Sequence, residues 1–276
     1  MRRTTRGWLL VLVVIGLVVA GCGSDSKADD TTTTSTTTGG QETSTPESAV
    51  TGPITVSAAA SLTEAFTKIG ADFTAANPGA TVTFNFGSSG TLATQIEQGA
   101  RADTFASADE ASMKQLVDGN RVVGQPVVFA TNQLVIVTKP GNPHQIKTLA
   151  DLAGLDVVAL CGATVPCGTY AAQILEKAKV TIPEDHITRG QDVKATLGAV
   201  TTGDADAAIV YVTDAKSAGS AVSTVTIPKP DNVTATYPIA TLRSSNVPGT
   251  SQAFIAYLTS DAGQATLRSF GFLPPS

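Results

Sequence analysis

Strand-like runs that end in a hydroxyl and open directly into an amphipathic helix recur along this 276-residue chain and narrow the folds open to it. Ile54-Thr55-Val56 leads through Ala58-Ala59-Ala60-Ser61-Leu62 into Thr63-Glu64-Ala65-Phe66. Val82-Thr83-Phe84 leads through Phe86-Gly87-Ser88-Ser89-Gly90 into Thr91-Leu92-Ala93. The pattern continues, with strands predicted over 54–57, 81–86, 103–107, 134–138, 157–160, 207–211 and 222–227. Helices are predicted over 61–76, 91–98, 110–118, 149–152, 169–179, 192–201, 251–258 and 264–270. Such alternation predicts an α/β fold with mostly parallel sheets flanked by helices. Ligands in these folds lie beyond the carboxyl ends of the strands, where both serines fall. Helix N-termini also present unpaired N–H groups and a partial positive charge, so Ser61 and Ser89 mark a candidate seat for a small anion. Taken singly, each serine is equally readable as a simple helix cap.

The N-terminus points outside the cytosol. Arg2, Arg3 and Arg6 precede an apolar run from Trp8 to Ala20, followed by Gly21-Cys22. A basic segment, a short apolar stretch and small residues before a cut mark an export signal over 1–21, too short to favour a membrane-spanning helix. Val19-Ala20-Gly21-Cys22 resembles the bacterial lipobox, which implies lipidation of Cys22 and anchoring at the outer face of a cell membrane. An ordinary cleaved signal with a stray cysteine is the alternative. Residues 22–52 are rich in Ser, Thr and Gly, with little apolar surface to offset ordering entropy. They read as a disordered tether with a reach of about 30 Å.

The remaining body is long enough for one large domain or two smaller ones. The formal net charge is −5, and loss of the three signal arginines makes it more negative. With no Lys/Arg cluster, nucleic acid is excluded as a partner, and an anion would have to be held by local dipoles instead of the overall field.

Two further junctions share the form of the first pair. Leu160-Cys161-Gly162-Ala163-Thr164-Val165-Pro166-Cys167-Gly168 joins a strand to a helix through small residues. Gly190-Gln191-Asp192-Val193-Lys194 opens another helix, with Asp192 as its cap. Ala208-Ile209-Val210-Tyr211 ends a buried strand in a phenol that can donate one hydrogen bond. Cys161 and Cys167, six apart in an exported chain, are expected to form a disulfide that clamps this loop; two buried thiols are the alternative. His144 and His186 read as surface residues, and Asp204 and Asp206 as solvated turn carboxylates. No Gly-x-Ser-x-Gly elbow or His-Glu-x-x-His motif is present. No catalytic residue, separate metal site or cofactor is therefore expected, and a secreted serine-dependent hydrolase is the competing class.

Taken in order, AAASLTEAF, FGSSGTLATQIEQGARADTFASAD, VPCGTYA, DVKATLGAV, AAIVYVTDA and the closing FGF resemble the molybdate-binding protein of ABC transporters over 54–272. The resemblance implies a two-lobed type II periplasmic-binding-protein fold, with an oxyanion held between the lobes. Lobe 1 would comprise 53–131 and 237–276, and lobe 2 would comprise 132–236, with crossings near Asn132 and Tyr237-Pro238. The implied ligands are Ser61 and Ser89, the backbone N–H groups of Cys167 and Val193, and the Tyr211 hydroxyl. The implied partners are molybdate or tungstate and a membrane permease, the protein itself acting as a monomer. A donor-only shell suits a fully deprotonated dianion, whereas hydrogen phosphate would want an acceptor. Sulfate and phosphate remain the nearest alternative ligands.

Overall fold

The computed structural model describes residues 50–275; the expected signal peptide, Cys22 and the tether up to residue 49 lie outside them. The described body begins with β1 (Gly52–Ala59), inside the span read as tether, and a single 3-10 turn over Ala60–Leu62 leads into α1 (Thr63–Ala76). Then follow β2 (Ala80–Gly87), α2 (Ser89–Glu97), β3 (Thr104–Ala106), α3 (Glu110–Asp118) and the long β4 (Val127–Thr138). The next segment holds β5 (Val158–Cys161), α4 (Pro166–Lys177), β6 (Ile187–Gly190), α5 (Val193–Thr201), β7 (Ala207–Tyr211), α6 (Val212–Ala218) and β8 (Ser223–Thr226). The chain closes with β9 (Thr234–Thr241), α7 (Pro248–Thr259) and α8 (Asp261–Phe270).

The strands form one curled mixed sheet in the order β2-β1-β3-β9-β4-β7-β5-β6, with β8 paired to β4 off that path. Strands joined through helices pair in parallel, as the alternation predicts: β1 with β2 and β3, and β5 with β6 and β7. Each antiparallel pairing between these strands involves β4 or β9. Over Val127–Gln133, β4 pairs with β9; over Leu134–Thr138, it pairs with β7 and β8. One strand thus belongs to two halves of the sheet.

Only the second half of β4 was expected, and β9 was not. The run Thr234-Ala235-Thr236-Tyr237-Pro238 carries a proline in its interior, which argues against a central strand. The ladder accommodates it with a register shift between Val128 and Ala130, beside Pro238. The Pro238 carbonyl still accepts a hydrogen bond from the Ser107 N–H at 2.9 Å.

Helix α1 shows how the layers close. Phe66, Ile69, Gly70 and Phe73 recur at helical spacing and are all buried. Pro78 disfavours a helical Asn77, and the helix stops there. A Cβ at Gly70 would lie 2.6 Å from the Phe84 ring, so glycine is what lets α1 sit against β2. Phe66 lies between Phe129 at 5.6 Å and Phe84 and Phe254 at 6.0 Å, ring centre to ring centre. Truncating Phe66→Ala is expected to destabilise the body by about 3–5 kcal/mol. Urea unfolding checks this as a lower midpoint at unchanged slope.

Candidate anion-binding site

A single small cavity lies where the carboxyl ends of β1, β2 and β7 meet the loops that follow β5 and β6. Its walls include Ala60-Ser61, Ser88-Ser89, Val165-Pro166-Cys167, Asp192-Val193 and Tyr211. All five residues expected at the site, Ser61, Ser89, Cys167, Val193 and Tyr211, line it. The segments that open α1, α2, α4 and α5 point into one volume, and each helix start leaves N–H groups without intrahelical acceptors. Their dipoles add positive potential at the same spot. The cavity is about 20 Å³, little more than the 10–15 Å³ or so that one water needs, so it fits one compact solute.

The serines are not caps. Ser61 sits within the 3-10 turn before α1, and Ser88, not Ser89, occupies the N-cap of α2; neither helix start has a side-chain cap. The Ser61 Oγ lies 2.9 Å from the Tyr237 Oη, and the Ser89 Oγ accepts the Ala108 N–H at 3.0 Å. Two further hydroxyls on the cavity wall, Ser88 and Tyr211, are buried and have no hydrogen-bond partner among the described residues. An unpaired buried polar group costs about 1–3 kcal/mol, so such groups call for a partner. Burial raises the pKa of both Tyr211 and Tyr237 far above the usual phenol value, which keeps them protonated and able to donate. Asp192 is also on the wall, and its Oδ1 caps α5 by accepting the Ala195 N–H at 2.9 Å.

The α4 wall is fixed by local chemistry. Pro166 occupies the first turn, where its missing N–H is no loss. Cys161, at the end of β5, and Cys167 form a disulfide with Cα atoms 5.7 Å apart. A Cβ at Gly168 would run into the Gly162 carbonyl, so only glycine allows the helix start to press against the strand end.

Lys194 ties the rim together in a way the sequence does not display. Its Nζ lies 2.7 Å from a Glu64 oxygen on α1 and 3.0 Å from a fully buried Asp214 oxygen on α6. Burial pushes the Asp214 carboxyl up to about 6, against the pull of Lys194. Away from the cavity, Asp206 is not a solvated turn residue as expected. It pairs with Lys139 at 3.0 Å and His144 at 3.3 Å and accepts the Val157 N–H at 3.2 Å. His144 itself is exposed, and the half-buried His186 places its Nδ1 2.8 Å from the Leu155 carbonyl oxygen.

Comparison with known proteins defines the class. The family model for bacterial extracellular solute-binding proteins matches residues 54–273, and the chain belongs to that family, whose members bind solutes and are not enzymes. It is 40% identical to the molybdate-binding protein ModA of Mycobacterium tuberculosis (strain ATCC 25618 / H37Rv), over 98% of this chain and 97% of that one. It is 33% identical to ModA of Haemophilus influenzae, over 81% of this chain and 91% of that one. The fold matches the periplasmic molybdate-binding protein of Azotobacter vinelandii with a TM-score of 0.74 at 21% identity, over 81% of this chain and 100% of that one. The architecture is that of the periplasmic binding proteins.

Of the residues lining or supporting the cavity, the reading of the sequence missed Ser88 and Tyr237. Ser88 is legible in retrospect from the paired serines at one helix start. Tyr237 carries no local signal, because it lies in the unexpected β9. Replacing Lys194→Ala would leave the Asp214 carboxyl buried without its cation, facing Glu64 and Asp192. The loss from this charge should be about 2 kcal/mol at about pH 7.5, because a carboxyl with a pKa of about 6 takes up a proton there at about 1.4 kcal/mol per pH unit. The folded-state pKa lies above the ordinary carboxylate value, so the ionised form is the disfavoured one. Urea melts should show the loss shrinking as pH falls through about 6.

Proposed function

We propose that this protein captures molybdate, and tungstate with it, and hands the anion to an ABC transporter permease. One observation supports this above all: four helix starts and a set of buried hydroxyls converge on a cavity sized for one compact solute. Molybdate near neutral pH is a tetrahedral dianion that only accepts hydrogen bonds. The N–H groups of Cys167 and Val193, with the Ser61, Ser89 and Tyr211 hydroxyls, are donors of the kind it needs. Each such bond to a charged partner contributes about 1.5–3 kcal/mol, so several hold a desolvated dianion without a lysine or arginine. Asp192 is the carboxylate on the wall, and its engagement as a helix cap counts against a protonated ligand.

The lipobox-like Cys22 and the Ser/Thr-rich segment fit a lipid-anchored monomer tethered at the outer face of the membrane. Two lobes, 53–131 with 237–276 and 132–236, would meet at the cavity. The adjacent strands β4 and β9, paired at Asn132–Ala235 and Gln133–Thr234, would form the hinge. Ser61 and Ser89 fall on one side of that division, and Cys167, Val193 and Tyr211 on the other. Bound anion would then favour the closed state through contacts that only closure completes. The Lys194–Glu64 ion pair spans the same division.

Calorimetric titration with molybdate, tungstate, sulfate and phosphate tests the reading, and the first two are expected to bind tightest. Ser61→Ala and Ser89→Ala should each weaken molybdate by about 10- to 100-fold, with the unliganded protein still folded and its melting temperature lowered by several degrees, since each change leaves a buried group without its partner. Tyr211→Phe should weaken binding less than loss of both serines. Unchanged affinity in both serine variants would overturn the site.

A further inference from the structure

We infer that Tyr237, which is not among the residues lining the cavity, fixes the direction of the Ser61 hydroxyl proton and so makes Ser61 a donor to the bound anion. This deepens the oxyanion reading of the pocket and rests on it. Asn132, Tyr237 and Ser61 are buried, and the contacts that link them run in a single sense. Asn132 Oδ1 accepts the Gln133 N–H at 2.9 Å, which fixes the orientation of the amide. Its Nδ2 therefore faces Thr213 Oγ1 at 2.9 Å and Tyr237 Oη at 3.4 Å, and an amide nitrogen can only donate. With its oxygen accepting from Asn132, Tyr237 turns its own proton to its other neighbour, the Ser61 Oγ at 2.9 Å. Ser61 then accepts from behind and has one proton left to offer, towards the cavity.

Ser89 is arranged alike by different means, since the Ala108 N–H occupies its oxygen and leaves its proton free. At both serines an internal donor takes a lone pair, so the wall offers protons where a ligand needs them. Burial of the Tyr237 phenol, whose pKa stands well above its ordinary value, keeps the donating proton in place. Asn132 and Tyr237 sit on β4 and β9, the paired strands where the two halves of the sheet meet. An anion bearing a proton, such as hydrogen phosphate, would meet a Ser61 that already accepts one hydrogen bond and aims its proton at the cavity, and would find it a poor acceptor, whereas molybdate needs none. Tyr237 is a positioning residue for selectivity, acting through Ser61.

The test measures molybdate and inorganic phosphate affinities by calorimetry for the unsubstituted protein, Tyr237→Phe, Ser61→Ala and the double variant. Tyr237→Phe is expected to weaken molybdate by about 3- to 10-fold, the span of one hydrogen bond. It should also narrow the preference for molybdate over phosphate, because a freed Ser61 hydroxyl can accept as well as donate. In the Ser61→Ala background the same change should leave molybdate affinity unaltered. Asn132→Leu, which removes the donor that orients Tyr237, should narrow the preference in the same sense and covers the case in which Tyr237→Phe fails to fold. An equal loss in both backgrounds, or a preference unmoved in the folded variants, overturns this inference alone. Failure of the unsubstituted protein to bind molybdate overturns the reading of the pocket, and this inference with it.

Discussion

Strands joined in parallel through helices must start each following helix at the same edge of the sheet, and here two such groups of strands share one edge. The group of β1 and β2 delivers the starts of α1 and α2 there; the group of β5 and β6 delivers those of α4 and α5. No single helix N-terminus is remarkable as an anion seat, since half an elementary charge fades within a turn in water. Four around one volume of about 20 Å³ are another matter, because their partial charges add at the same point. The long strand β4 makes the arrangement possible by pairing with β9 at one end and with β7 at the other, which joins the two groups.

The same geometry explains how a chain with a formal net charge of −5 can receive an anion. The wall carries a carboxylate at Asp192, yet Asp192 is engaged in ordering the α5 start that supplies the Val193 N–H. Lys194 follows directly in sequence but spends its charge on Glu64 and Asp214 rather than on the cavity. A free ammonium in the pocket would attract any anion. Neutral donors with fixed directions, as proposed for this cavity, would instead favour a ligand by its shape and its lack of a proton.

Much of this was legible in the sequence, and the illegible part has a common cause. Local signals found the strand–helix junctions at Ser61, Ser89, Cys167 and Val193, because small residues, hydroxyls and Pro166 are written into consecutive positions. The buried run ending at Tyr211 was equally plain. Local signals failed at β9, where Pro238 masks a strand that exists because β3 and β4 flank it. They failed also at Lys194, whose partners lie on α1 and α6, and at Asp206, whose burial depends on Lys139 and Val157. Ser61 shows both sides at once. Its place at a helix start was visible, but its role as a simple cap was excluded only by a tyrosine 176 residues away.

Unsatisfied hydroxyls at Ser88 and Tyr211 would be defects in an ordinary core, and the fold holds them in place by constraint. Gly168 presses α4 against the end of β5, the Cys161–Cys167 disulfide joins the two, and the Tyr211 ring packs 6.0 Å from that of Tyr237. A wall so restrained loses little further freedom when a ligand arrives, so more of each hydrogen bond remains as net affinity. On the proposed reading, the scaffold that fixes Tyr211 and Ser61 is what would hold the donors ready for the anion, and relaxing it would weaken binding.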